Sequence, residues 1–186
     1  MTKAKWIGAL GALATTVMTP AAFADSGLGT TGQGYGTVGA LLGFGTSDYD
    51  LFGLGVRGGY TLPMNVYIGG LLQYNFGSDH FHSFEFGAEG GYDIDVGPVV
   101  IRPYLGLGYY NIGYSVDIPT ISVAGITAGG GNVSGSEGYF ALWPGAVVMY
   151  PIQNFFIGGD ARFNIVPSAN EDAVSFGIYA TGGLQF

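Results

Sequence analysis

The chain has 186 residues, of which 48% are hydrophobic, only 10% are charged and 36 are Gly; it has no Cys. A soluble domain ordinarily carries about twice that charge, while 13 Tyr and 13 Phe exclude the low-hydrophobicity kind of disorder. Gly follows no three-residue period, which excludes collagen, and the length suits one enclosed domain.

The first residues read as an address. Lys3 and Lys5 form a short basic region, an apolar stretch runs from Trp6 to Met18, and Ala22-Phe23-Ala24 offers a small-x-small cleavage site. Residues 1–24 are expected to be a cleaved secretory signal, too short for a membrane-spanning helix. Cleavage after Ala24 removes both lysines. The mature chain then carries Arg57, Arg102, Arg162 and two His against 13 Asp and Glu. That balance makes nucleic acid and anionic membrane surfaces poor partners.

No later stretch reaches 18 consecutive apolar residues, so no second candidate helix spans a membrane. Eight segments instead alternate with a period of two, which means strand. The first sets Val38, Ala40, Leu42 and Phe44 against Thr37, Gly39, Leu41 and Gly43. Next come Phe52, Leu54, Val56 and Tyr60 against Gly53, Gly55, Arg57 and Gly59. The third pairs Val66, Ile68, Leu72, Tyr74 and Phe76 with Tyr67, Gly69, Leu71, Gln73 and Asn75. The fourth opposes Phe84, Phe86, Ala88 and Tyr92 to Glu85, Gly87, Glu89 and Gly91.

In the fifth, Ile101, Pro103, Leu105, Leu107 and Tyr109 alternate with Arg102, Tyr104, Gly106 and Gly108. The sixth, 139–150, is apolar on both faces, so its inward phase stays open; one phase points Trp143, Gly145 and Val147 away from Phe140, Leu142 and Tyr150. The seventh sets Phe155, Ile157, Ala161 and Phe163 against Phe156, Gly158, Asp160, Arg162 and Asn164. The last sets Val174, Phe176, Ile178, Ala180, Leu184 and Phe186 against Ser175, Gly177, Tyr179, Thr181 and Gln185. The expected fold is all-β: an eight-stranded antiparallel up-and-down transmembrane barrel.

Alternation alone does not say which face is wet, because a soluble lipocalin-like barrel alternates too. A solvated exterior needs many charges, and the polar faces here offer mainly Gly, Ser, Thr, Tyr and Gln. The charges within strands balance: Arg57, Arg102 and Arg162 against Glu85, Glu89 and Asp160. Such balance suits a confined interior, where unpaired charge is costly. Tyr60, Tyr92, Tyr150, Phe155 and Phe186 cluster at one end of the apolar face, as an interfacial aromatic girdle does. The apolar face therefore points to lipid.

The links agree. Residues 62–65, 93–98 and 151–154 are short and turn-like; 46–50, 77–82, 111–137 and 166–172 are longer or acid-rich. Outer-membrane barrels have short periplasmic turns and longer external loops. Residues 25–34 then form a short periplasmic segment and 35–186 the barrel. The 111–137 link alternates around Ile118, Thr120 and Ser122 and reads as a hairpin above the membrane, with its tip at Gly129-Gly130-Gly131. It is the candidate surface for an extracellular protein partner, through its exposed edge. Seven acids lie in external links: Asp48, Asp50, Asp79, Asp117, Glu137, Glu171 and Asp172.

With Arg102-Pro103-Tyr104-Leu105-Gly106-Leu107-Gly108-Tyr109 and a terminal Phe186 preceded by Leu184, Ala180 and Ile178, the chain resembles the small eight-stranded outer-membrane barrels of the OmpA/OmpX and opacity-like type. The resemblance covers nearly all of 35–186 and implies residence in a bacterial outer membrane. It implies contact with outer-membrane lipid and lipopolysaccharide, and use of Phe186 and Leu184 as the signal to the barrel-assembly machinery. No cofactor or metal is implied.

Candidate chemistry is sparse. Gly34-x-Gly36-x-x-Gly39 and Gly53-x-Gly55-x-x-Gly58 match the dinucleotide fingerprint, but no helical period follows to supply the phosphate-binding N-terminus. His80, His82 and Ser83 beside Asp79 and Glu85 resemble the parts of a hydrolase. His82 and Ser83 are adjacent in a strand, however, and so point to opposite faces. The lumen charges are the stronger candidates. If Tyr92 faces Val99 across the turn, Glu89 faces Arg102, while Arg57 with Glu85 and Asp160 with Arg162 complete the set. Tyr67, Leu71, Tyr104, Trp143, Phe156 and Tyr179 are available to fill the interior of so narrow a barrel. The expected role is structural or surface-interacting, without enzymatic activity. A low-conductance channel for small solutes is the alternative, and an outer-leaflet lipid A hydrolase the third reading.

Overall fold

A computed structural model describes residues 34–46, 51–77, 81–123, 126–167 and 173–186, and every regular element among them is a strand. They are β1 (Tyr35–Thr46), β2 (Leu51–Thr61), β3 (Val66–Phe76), β4 (Phe81–Tyr92), the short β5 (Ile94–Val96), β6 (Val99–Val123), β7 (Ile126–Ile152), β8 (Phe155–Val166) and β9 (Ala173–Gln185). The expected signal at 1–24 and nearly all of the segment 25–34 lie outside the described residues.

Sequential strands pair antiparallel, and β1 pairs with β9. β4 and β5 both pair with β6 in a single register, with Glu89 opposite Gly106 and Ile94 opposite Ile101. β5 is thus the continuation of β4, and the sheet closes into a barrel of eight strands. Closure leaves no unpaired edge in the wall. At the seam, the amide and carbonyl of Gly36 and Phe186 exchange hydrogen bonds of 2.6 and 3.0 Å, which joins the first strand to the last residue.

The two-residue period sorts the side chains as expected. Phe44 is 66% exposed on the outside and Ile178 is 61% exposed, whereas Leu41 and Tyr179 are buried inside. The phase left open for 139–150 is resolved: Ala141, Trp143, Val147 and Met149 point inward, and Phe140, Val148 and Tyr150 outward. Phe44–Phe52 and Phe163–Phe176 ring pairs, 5.5 and 5.0 Å apart, lie at the external end of the apolar band. The exposed Tyr60, Tyr92, Tyr150, Phe155 and Phe186 ring its other end. An uncharged exterior held between two aromatic belts is built for hydrocarbon, and the chain is a transmembrane β-barrel.

Two expectations are corrected. Val96 pairs with Val99, so the 93–98 link shrinks to Gly97-Pro98. Gly97 has φ of 63°, a conformation that glycine reaches without a Cβ clash and that tight hairpins need. The strand therefore runs four residues further than the Tyr92–Val99 pairing assumed, and every partner across this hairpin shifts. The second correction concerns the long hairpin. Gly129 and Gly131 pair with Thr120 and Ile118, and the ladder continues to Val123–Ile126. The glycine triplet is strand, and the tip lies beyond it.

Candidate functional site: the charged lumen

Small residues make the interior possible. On either side of Glu89 the neighbouring strands present Gly69 and Gly106, and Arg162 lies between Gly145 and Gly177. Trp143 sits opposite Gly106 and lies flat across it, so that a Cβ there would collide with the indole nitrogen. The same ring covers Gly87, where a Cβ would meet it at 2.6 Å. The glycine excess therefore serves an interior in which long side chains cross the backbone of adjacent strands.

Three clusters succeed one another along the axis. At the periplasmic mouth, the Arg102 guanidinium donates to Asp93 at 2.5 and 2.9 Å and to the Thr61 hydroxyl at 3.1 Å. Asp93 also accepts from Thr61 at 3.0 Å and from the Tyr35 hydroxyl. The face of Arg102 lies 3.8 Å from the Tyr67 ring centroid. Residues from β1, β2 and β6 thereby converge on one carboxylate at the end of β4, and Tyr67 of β3 covers the guanidinium.

Arg57 holds the middle. It meets Glu89 through two contacts of 2.7 and 3.0 Å and Asp160 at 2.7 Å. The other oxygen of Asp160 accepts from the Tyr104 hydroxyl at 2.8 Å, and Glu89 accepts from the Trp143 indole at 3.0 Å. The Tyr104 ring faces Arg57 at 4.5 Å. A guanidinium paired with two carboxylates and covered by an aromatic face is an arrangement that offsets part of the cost of burying charge.

Nearer the external end, Arg162 approaches Glu85 at 3.6 Å, donates to Gln73 and lies 4.7 Å from the Tyr179 ring centroid. Gln73 donates to Asn75 at 2.6 Å and to the Tyr179 hydroxyl at 3.0 Å. Asn75 and Tyr110 both donate to Ser83, at 2.9 and 3.1 Å. All seven charged groups are at most 8% exposed.

The six charges singled out from sequence all lie in this interior, but with different partners. Glu89 pairs with Arg57, Arg102 with Asp93, and Glu85 with Arg162; Asp160 goes to Arg57. The Glu89–Arg102 pairing fails because the tighter turn moves Arg102 opposite Asp93. Asp93 is the residue that sequence reasoning missed. Its signal was present: Tyr92, Ile94 and Val96 continue the outward alternation, which makes Asp93 inward. Three guanidinium groups thus face four carboxylates. The six proposed filling residues, Tyr67, Leu71, Tyr104, Trp143, Phe156 and Tyr179, are all buried.

The remaining candidates disperse. Ser83 is buried in the lumen, while His82 is exposed and stacks on Tyr74 at 5.9 Å, so the two form no nucleophile–base pair. Asp79 and His80 lie outside the described residues. The two glycine fingerprints lie almost wholly in β1 and β2, with no helix after them among the described residues. No group of three or more metal-ligating side chains occurs among the described residues. Leu184 and Phe186 both face outward at the periplasmic end of β9.

No protein-family model matches the chain, and no curated protein matches it significantly. Solved structures do. Neisserial surface protein A is 20% identical with a TM-score of 0.56, over 84% of this chain and 98% of that one. A major outer membrane protein of Thermus thermophilus is 14% identical with a TM-score of 0.56, over 82% and 99%. The attachment invasion locus protein Ail of Yersinia pestis, in complex with the heparin analogue sucrose octasulfate, is 16% identical with a TM-score of 0.51, over 83% and 99%. The chain has the fold of the small eight-stranded outer-membrane barrels, and with its lipid-facing exterior that fold places it in the bacterial outer membrane.

Proposed function

We propose that the protein is a non-enzymatic outer-membrane barrel whose wall is locked from within and whose work is done at the cell surface, through the β6–β7 hairpin. The observation that carries this reading is the lumen itself. Arg57 alone bridges β2, β4 and β8 through Glu89 and Asp160, and the mouth cluster joins three strands, β1, β2 and β6, to Asp93. A path for solutes needs a continuous wet bore, and eight strands enclose only enough room for side chains. Here that room holds Trp143, Tyr67 and Tyr179 as well as the ion pairs.

Lipid and lipopolysaccharide surround the band as solvent, and Phe186 with Leu184 forms the signal read by the barrel-assembly machinery. Binding of a heparin analogue, as in the Ail complex, does not carry over. Recognition of a polyanion needs exposed cations, and Arg57, Arg102 and Arg162 are all in the lumen. Planar-bilayer recording of the refolded protein tests the reading: a flat baseline is expected, and stepwise openings would favour the channel instead.

A further inference from the structure

The glycines of the lumen and those of the outer wall differ in what covers them. Inside, the rings of Tyr67, Trp143, Tyr104 and Tyr179 lie across Gly69, Gly106, Gly145 and Gly177. Outside, a Cβ on Gly58 would come no closer than 3.5 Å to Thr37 and Val38, and one on Gly70 would meet only the carbonyl oxygen of Gly87. Gly90 has nothing within 4 Å. Glycine weakens a strand and gives it no side chain to pack, so bare glycines on neighbouring strands call for something else to lie on them.

The register sets these positions side by side. Gly58 is opposite Val38 and Gly70, and Gly70 is opposite Ala88. An outward row of small residues thus crosses β2, β3 and β4 over ~10 Å. The next outward row toward the external end is Val56, Leu72 and Phe86, all large. Together the rows shape a groove of about 490 Å³, with Val38 at its β1 end. That volume falls within the range of about 300–1,000 Å³ for small-molecule sites. On the periplasmic side the Tyr60 ring is turned onto Gly34, and Gly90 offers no side chain, so the groove stays open toward the girdle.

Position and lining decide the occupant. The groove is continuous with the lipid-facing band, and its outward lining is glycine and apolar side chains throughout. Protein association within hydrocarbon lacks a hydrophobic drive and relies on close packing or hydrogen bonds. This lining offers a protein partner no side-chain hydrogen bond, whereas a flexible chain of methylenes follows its shape. Counted in outward residues, Gly58 is one place from Tyr60 of the periplasmic girdle and three from Phe52 of the external belt; Ala88 is two from Tyr92. The groove therefore starts near the periplasmic rim on β2 and climbs toward the midplane on β4. We propose that it binds one acyl chain of a phospholipid from the periplasmic leaflet, with the ester end at Gly58 and the chain terminus toward Ala88 and Phe86. Such a site is independent of what the external hairpin does.

The test uses refolded protein in nanodiscs of palmitoyl-oleoyl phosphatidylcholine, doped with a phosphatidylcholine that carries a photoactivatable diazirine. The diazirine sits either beside the ester or at the chain terminus, and mass spectrometry maps the crosslinks. Together the two probes should label residues 56–58, 70–72 and 86–88 several-fold more than Ile178, which is 61% exposed on the same apolar band. The ester-side probe should favour Gly58 and the terminal probe Ala88. Gly58→Leu or Ala88→Leu fills the groove and should remove the enrichment while the boil-sensitive band is retained. Gly159→Leu, at an exposed glycine of β8, should leave it intact. Labelling no greater than at Ile178 would overturn the proposal, and so would enrichment that survives both filled variants. The reversed order of labelling would mark a lipid whose headgroup lies at the external rim, and would overturn it too. Crosslinks between two copies through residues 70 and 88, displacing lipid labelling at high protein-to-lipid ratio, would overturn it in favour of a second copy. Where a filled variant fails to fold, the order of labelling in the unaltered protein decides alone.

Discussion

Glu89 concentrates the interior's demands in one side chain. It binds two nitrogens of Arg57 and the indole of Trp143, and it does so across neighbouring glycines. Glu89→Ala leaves Arg57 with one carboxylate and the indole without an acceptor, so unfolding free energy in detergent should fall by ~3–5 kcal/mol, the range for breaking one side of a buried pair. An unchanged denaturant midpoint would remove this residue from the account. The glycines make a matched prediction. Gly106→Ala drives a methyl into Trp143 and should cost about 1–3 kcal/mol through overpacking. Gly90→Ala faces lipid with nothing within 4 Å, so it should change stability by less than about 0.5 kcal/mol. Equal effects at the two positions would contradict the assignment of faces.

The β4–β5–β6 hairpin carries the main lesson at the level of elements. A run of Asp, Gly and Pro reads as a loop, and here most of it is strand. Alternation favoured extension through Val96, while composition favoured a turn from Asp93. Backbone pairing decides between them: Gly97 at positive φ allows a two-residue turn, and each residue added to the ladder gains hydrogen bonds that a loop would leave to water. A double-mutant cycle reads the outcome directly. Asp93→Ala with Arg102→Ala should show a coupling of about 1–3 kcal/mol, and Glu89→Ala with Arg102→Ala one near zero. The reverse ranking would restore the Tyr92–Val99 register. Gly97→Ala should cost about 1–2 kcal/mol, because any Cβ at that φ meets the following carbonyl; unchanged thermal unfolding would argue against so tight a turn.

For the whole molecule, folded protein should migrate faster than boiled protein in detergent gels, and removing Phe186 should weaken both closure and assembly. Phe186 bonds to Gly36 through both backbone groups, and its ring lies against Gly36. Deletion should therefore lower the yield of the boil-sensitive band several-fold. An unchanged yield would leave it no role in either.

The sequence by itself determined the strand count, the inward and outward sets of seven strands and the lipid-facing exterior, because each rests on a local period of two that any register preserves. It also placed six charges and six filling residues inside. Only the tertiary structure decided who pairs with whom. Ion-pair partners depend on the register between strands and on which side chains cross the lumen, so a turn shorter by a few residues exchanges every partner without altering any alternation. The inward phase of 139–150 was decided the same way. Both its faces are apolar, and it is Gly106 on the adjacent β6 and Gly87 on β4 beyond it that leave room for Trp143 inside.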